Sequence, residues 1–242
     1  MTVSAYIIND PNIRLWNLTS RIRYQRMLSR LGVEHVLNDL NELPSDHSLL
    51  IIRGDFLFDA RIFSFLLKQA NVVLEVQAQA GLRPVVAHVD STLASATCEG
   101  IQREHTRDVA NLQSVTLQDL SISFSNELRK TDHPYVFPIR ENNRVALEEH
   151  LFTGSYKGVT DLVTKFLWPV PAQWATRLCA LWGISPNQVT SLSLLLVIVA
   201  GVLFAFGQFF WGLVLGWIMT FLDTVDGKLA RVTVTSSKWG NI

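Results

Sequence analysis

No charged residue interrupts the chain from Asn187 to Leu222, and this run constrains the fold more than any other feature. At about 1.5 Å of rise per helical residue it is too long for one crossing of a roughly 30 Å hydrocarbon core. Two helices fit better. The break falls at Gly207-Gln208, giving a first span from Gln188 to Phe206 and a second from Phe209 to Val225. A buried hairpin in a soluble protein would need polar-faced helices nearby, which this segment lacks, so a membrane hairpin is expected. Lys157, Lys165 and Arg177 precede the first span, Lys228, Arg231 and Lys238 follow the second, and the tip is uncharged. The positive flanks predict that both ends face the cytoplasm. Gly212 and Gly216 form a GxxxG in the second span, a spacing that permits close helix contact but specifies no partner.

Composition narrows the remainder. A chain of 242 residues suggests one or two domains, and a formal net charge of +0 gives no basic surface for nucleic acid, which is not expected as a partner. Cys98 and Cys179 form no metal or redox spacing, and no disulfide is expected. Ile7-Ile8 is followed at once by Asn9-Asp10-Pro11, so no apolar leader is read and the N-terminal region is expected to be cytoplasmic.

Residues 1–150 alternate short β-like runs with helical patterns. Ser4 to Ile8 reads as a strand. Ile13, Trp16, Ile22, Met27, Leu28 and Leu31 then recur at helical spacing until Gly32. A strand over Leu49 to Arg53 leads into Gly54-Asp55, and Asp59 is placed to cap a helix from Ala60 to Gln69. Asn71 to Val76, Pro84 to Val89 and Pro134 to Ile139 read as further strands, while Ser91 to Ser125 resists assignment. The alternation predicts an α/β domain with a mostly parallel sheet. Arg14, Arg21, Arg23, Arg26 and Arg30 offer either an anion site or, more ordinarily, a solvated helix face.

The stretch Ile51-Ile52-Arg53-Gly54-Asp55-Phe56-Leu57-Phe58-Asp59 resembles the acidic strand end of sugar-nucleotide-type nucleotidyltransferases. The resemblance implies a carboxylate beside the nucleotide's divalent metal, while aspartate after glycine is equally ordinary turn chemistry. In that family a glycine-rich loop follows the first strand, so that backbone N–H groups can approach phosphates. Here Pro11-Asn12-Ile13-Arg14 follows, and Gly32 is the first glycine. The expectation is a degenerate nucleotidyltransferase-like domain over 1–150.

Residues 151–186 read as a linker and interfacial helix. Between Thr160 and Gly183, Leu162, Val163, Phe166, Leu167, Trp168, Trp174, Leu178, Leu181 and Trp182 are mixed with Lys165 and Arg177. Tryptophan favours the headgroup zone, so a helix on the membrane surface is expected, interrupted around Pro169 and Pro171. The other reading is a helix packed between domains. Ser185 is placed as a cap and Pro186 suits the first turn of the next helix.

Residues 187–242 open the membrane domain, and the chemistry lies where its second span ends. On a continuing helix Asp223, Asp226, Gly227 and Ala230 follow an i, i+3, i+4, i+7 pattern and share a face. Two carboxylates one turn apart can hold a hard divalent cation through oxygen. Gly227 and Ala230 leave that face without bulk, so a base or ribose can lie on it, and Arg231 at its edge can meet a phosphate. The plain alternative, acids marking the water boundary, explains the two aspartates but not the small residues aligned with them. The order of an EF-hand loop is absent.

These residues resemble the CDP-alcohol phosphotransferase family, whose signature is D-x2-D-G-x2-A-R-x8-G-x3-D-x3-D. Asp223, Asp226, Gly227, Ala230, Arg231 and Gly240 fall in register, and Pro186-Asn187-Gln188-Val189-Thr190 is similar to the segment preceding the family's first span. The resemblance covers about residues 157–242. It implies integral membrane enzymes that transfer a substituted phosphate from a CDP-alcohol to an acceptor hydroxyl and release CMP. It further implies Mg2+ or Mn2+ on Asp223 and Asp226, the CDP moiety near Gly227, Ala230 and Arg231, and secondary contacts from Asn187 and Thr190. A CDP-alcohol, an alcohol acceptor and membrane lipid are the implied partners, with a homodimer as the implied assembly. The family's third and fourth aspartates, a metal ligand and the general base, would fall two and six residues past Ile242. The expectation for the chain as given is therefore a truncated, catalytically incompetent form. Two alternatives stay open: a bifunctional cytidylyltransferase and phosphotransferase, as in fused inositol-phosphate enzymes, and a non-catalytic membrane-anchored nucleotide-binding or regulatory protein.

Overall fold

A computed structural model of the chain describes residues 2–78, 81–104, 106, 109, 111–120, 134–155 and 166–236. Parts of the Ser91 to Ser125 stretch lie outside these residues, as do Lys157, Leu162, Val163, Lys165, Lys238 and Gly240. The chain forms two compact units, one of Met1–Ile13 and Thr19–Glu141, the other of Arg14–Leu18 and Asn142–Ile242.

The first unit is built on a sheet containing β1 (Thr2–Ile8), β2 (His35–Leu37), β3 (His47–Arg53), β5 (Val72–Ala78), β6 (Gly81–Val89) and β7 (Gln113–Thr116). The strand order is β2-β1-β3-β6-β5-β7. β1 runs parallel to β2 and β3, and β5 to β7, while β6 is antiparallel to both its neighbours, so β6 alone opposes the common direction. β3 shows why the sheet is buried on both faces: Leu50 and Ile52 enter one apolar cluster, Leu49 and Ile51 another. A strand apolar at every position suits such a doubly covered sheet. The short β4 (Phe56–Phe58) pairs instead with β8 (Val136–Pro138).

Helices α1 (Ser20–Arg30), α2 (Ala60–Leu66) and α3 (Ala94–Gln102) also belong to this unit. Thr19 caps α1 by accepting from the Ile22 N–H, and Asp59 caps α2 by accepting from Arg61. The helical spacing expected from Ile13 onward is corrected here. Leu15 and Leu18 exchange backbone hydrogen bonds around Trp16 and Asn17, whose φ values of +52° and +60° are left-handed. Two consecutive positive φ angles make a tight reversing turn that a helix cannot contain. Nor do the arginines form one solvated face, since Arg23 is buried and Arg14 stands in the turn, outside the helix.

Among the described residues, the second unit includes α4 (Arg144–Gly154), α5 (Pro169–Leu181), α6 (Pro186–Ala205) and α7 (Phe209–Val232) together with the turn Arg14–Leu18. Pro169 and Pro171 begin α5 where an interruption was expected, because first-turn residues need no N–H donor. Trp168, Ala172 and Ala180 bury one side of this region, while Val170, Trp174, Leu181 and Trp182 are exposed. Ser185 and Gln188 close a reciprocal capping box at α6.

α6 and α7 are long and apolar enough to cross a membrane, and few of their residues are buried. Leu194, Ile198, Val202, Phe210, Leu213 and Trp217 are all exposed, as lipid-facing residues would be. Gly207, at φ +73°, makes the break between them. In the second span, a Cβ on Gly212 would come within 2.6 Å of the Phe204 ring, whereas one on Gly216 would meet nothing within 4 Å. Gly212 therefore serves the hairpin itself.

Candidate functional site

α7 runs past Val225, where the second span was expected to end, to Val232, as the continuing helix expected for Asp223 to Arg231. Its end is built by the Thr235 N–H donating to the Ala230 carbonyl and the Val234 N–H to that of Arg231. This pattern ordinarily puts glycine at the left-handed position, but here Val234 takes it at φ +53°. The C-terminal turns of α7 carry Asp223, Asp226, Gly227, Ala230 and Arg231 on one uninterrupted helix, as the shared-face argument requires.

Asp223 is exposed and Asp226 half-buried. Asp226 Oδ2 accepts from the Thr190 hydroxyl of α6 at 2.5 Å. Among the described residues neither aspartate is in an ion pair. Gly227 lies beside them, and a Cβ there would meet nothing within 4 Å. A mid-helix glycine costs about 1 kcal/mol relative to alanine, and no packing neighbour among the described residues requires this one. The open face is therefore a space available to a ligand. Asn187 is exposed in the first turn of α6.

Arg231 and Lys228 share an acceptor that the sequence did not reveal. Both donate to the Ser155 carbonyl at the end of α4, Lys228 Nζ at 2.8 Å. Lys228 is 3% exposed, so this contact and the negative end of α4 supply the polar surroundings a buried ammonium needs. Lys228 reads in the sequence merely as flanking charge, and nothing in the sequence signals Ser155.

α4 is held in turn by the Arg14–Leu18 turn. Trp16 is 3% exposed, stacks on Phe152, and donates its backbone N–H to Glu148 Oε1 and its indole N–H to the Glu148 carbonyl. Glu148 also accepts from Arg177 at 3.0 Å, and Asn17 donates to the Ala180 carbonyl. Burial inside this unit is what holds a tryptophan in the left-handed region.

The other acidic candidate is Asp55, at the end of β3. Its carboxylate accepts two hydrogen bonds from Arg53, at 2.9 and 2.7 Å, and Arg83 stands 3.9 Å away. Arg83 and Arg53 also engage Glu104, and both guanidinium groups lie against the Phe56 ring. A Cβ on Gly54 would fall 2.9 Å from Asp10 Cα, so the loop after β1 fills the space beside this strand end.

Two carboxylates, with phosphate oxygens and water completing the shell, match the way Mg2+ is commonly held. Asp223 and Asp226 beside the open Gly227 fit that donor set. Asp55 does not, because its oxygens already serve arginine. Among the described residues no group of three or more His, Cys, Asp or Glu side chains is placed to hold a metal.

Residues 183–242 match the family model for CDP-alcohol phosphatidyltransferase. The matched segment holds α6, α7 and both aspartates. The chain is also similar to a phosphatidylinositol phosphate synthase of Streptomyces avermitilis, 41% identical over 59 residues. That alignment covers 24% of this chain and 24% of the relative, so the chain spans about a quarter of the curated relative it matches. The family-model match lies over the two helices that are long and apolar enough to cross a membrane.

Proposed function

We propose that this chain acts in transferring a substituted phosphate from a CDP-alcohol to an acceptor hydroxyl, with release of CMP. The observation that carries the reading is the α7 face on which Asp223 and Asp226 flank an unfilled space at Gly227, inside the family-matched segment. Asp223 and Asp226 would hold Mg2+ or Mn2+, which when bound would supply charge neutralisation at the pyrophosphate and the departing CMP phosphate. Gly227 and Ala230 admit the nucleoside without steric conflict. Arg231, tied to the Ser155 carbonyl, keeps further N–H groups for a phosphate oxygen. Asn187 lies at the start of the neighbouring helix, where its amide serves as a secondary contact.

The same proposal places both ends of the hairpin and the first unit on the cytoplasmic side, since the basic residues flank the hairpin and its tip is uncharged. The exposed apolar side chains of α5 suit the membrane interface. The first unit is read as a nucleotidyltransferase-like scaffold without catalysis. The features that argue against catalysis there are the arginine-bound Asp55 and the absence of glycine from the loop after β1. A cytidylyltransferase activity there draws no support from that strand end.

The test is CDP binding to the purified full chain in detergent, with Mg2+ and with EDTA. Metal-dependent binding that is lost in both Asp223→Asn and Asp226→Asn is expected. CDP binding indifferent to EDTA and to both substitutions would sink the reading. Release of CMP from a CDP-alcohol in liposomes, sensitive to the same substitutions, extends the test to turnover.

A further inference from the structure

We propose that Thr190 is a positioning residue for Asp226, orienting its carboxylate toward the cation, and not itself a nucleotide contact. The proposal rests on the metal-site reading above and adds a role for a residue on the other helix of the hairpin.

The geometry begins with the register of the hairpin. Thr190 and Asp226 are equidistant in sequence from Gln208, and so are Phe204 and Gly212. The Phe204 ring lies where a Cβ on Gly212 would be, and the Ser193 hydroxyl donates to the Met219 carbonyl at 3.4 Å. Val189, Ser193 and Ala200 form the buried seam of α6. These contacts fix α6 against α7 along the hairpin, and that register delivers Thr190 to Asp226.

The hydroxyl itself supplies the second part of the argument. Hydroxyls in helices ordinarily bond back to the carbonyl one turn earlier. Ser191 does so to Asn187, Thr224 to Thr220 and Thr233 to Leu229. Thr190 has that option too, with the Pro186 carbonyl at 3.0 Å, yet the Asp226 oxygen lies closer at 2.5 Å. A hydroxyl has one proton to donate. Bonding to an ionised carboxylate gives the shorter and stronger bond. One carboxylate oxygen is thereby fixed to α6, and lone pairs remain on the carboxylate for a cation. Groups that orient metal ligands in this way are usually worth about 10- to 100-fold in metal affinity.

Mn2+ binding to the full chain in detergent, read from the electron paramagnetic resonance signal of free Mn2+ with CDP present, tests the proposal without any turnover assay. Thr190→Val removes the hydroxyl at nearly constant shape and is expected to weaken Mn2+ binding about 10- to 100-fold. Thr190→Ser is expected to remain within about threefold of wild type, because it keeps the hydroxyl. Circular dichroism melting separates a folding defect, which rescue by serine also addresses. Wild-type Mn2+ affinity in Thr190→Val, alongside loss in Asp226→Asn, would overturn the positioning role and leave the metal site standing. Mn2+ binding unaffected by Asp226→Asn would overturn both. Mn2+ binding measured without CDP decides the remaining case: a loss in Thr190→Val that appears only with CDP present would make Thr190 a direct nucleotide contact and overturn the proposal.

Discussion

Asp55 at the end of β3 and Asp226 near the end of α7 each adjoin a glycine, yet their surroundings differ in charge and in space. Asp55 is clamped by Arg53, and the Asp10 backbone fills the room beside Gly54. Asp226 accepts from the Thr190 hydroxyl and meets no guanidinium among the described residues, and the space beside Gly227 is open. A carboxylate already bound to a guanidinium has little left for a metal, and the paired arrangement stabilises the fold instead. The same dipeptide composition thus marks a closed structural corner in one unit and a candidate ligand site in the other. Neutralising partners and available volume make the distinction.

The largest effect is expected at Trp16, which tests the division into two units. Trp16→Ala removes a buried aromatic side chain and should destabilise the second unit by about 3–5 kcal/mol. Hydrogen exchange should show lost protection in α4 and α5 with β1 and β3 unchanged; lost protection confined to the sheet would break the division.

Next comes the contrast of the two acids. Asp226→Asn should weaken Mn2+ binding in the presence of CDP by about 100-fold or more, since a ligand should matter at least as much as its outer-shell partners. Asp55→Asn should leave it unchanged. Equal losses would erase the comparison.

The glycines sharpen it further. Gly54→Ala forces a Cβ toward Asp10 backbone and should cost the first unit about 1–3 kcal/mol without altering CDP affinity. Gly227→Ala should raise helix stability by up to about 1 kcal/mol while weakening CDP binding. Chemical denaturation paired with CDP titration reads both, and a Gly227→Ala protein with full CDP affinity would show that the open face is not used.

The smallest effect separates the units by pH. Burial, reinforced by Asp59, pushes the Tyr135 phenol up to about 12. Its neutral form is favoured by folding, so this contribution is intact below the ordinary tyrosine value of about 10. It is lost as pH rises toward about 12. Stability of the first unit measured across that window should fall less steeply in Tyr135→Phe.

The hairpin was legible because a charge-free run has few ways to satisfy its backbone, and a capping sequence at Ser185 and a break at Gly207 marked its ends. β1, β3, β5, β6 and β8 were legible to within a few residues, whereas the short β2, β4 and β7, with three or four residues each, were not read as strands. The Arg14–Leu18 turn was not. Trp16 sits at helical spacing from Ile13 and Met27, and the pattern cannot distinguish an apolar residue that faces its own helix from one that enters another unit. The prolines of α5 were legible as constraints on the chain, but their place at the first turn of a helix depended on where that helix began.

Sequence alone determined that two apolar helices end in a face bearing two carboxylates and two small residues, because helical periodicity and charge spacing are local properties. Tertiary structure decided which of those groups remain available. It gave Asp55 to Arg53, Lys228 and Arg231 to the Ser155 carbonyl, and Asp226 to Thr190. Arg53 and Asp55 are two residues apart, but the other pairings join residues far apart in the chain, and hydrogen bonding and volume depend on what folding brings within a few ångströms.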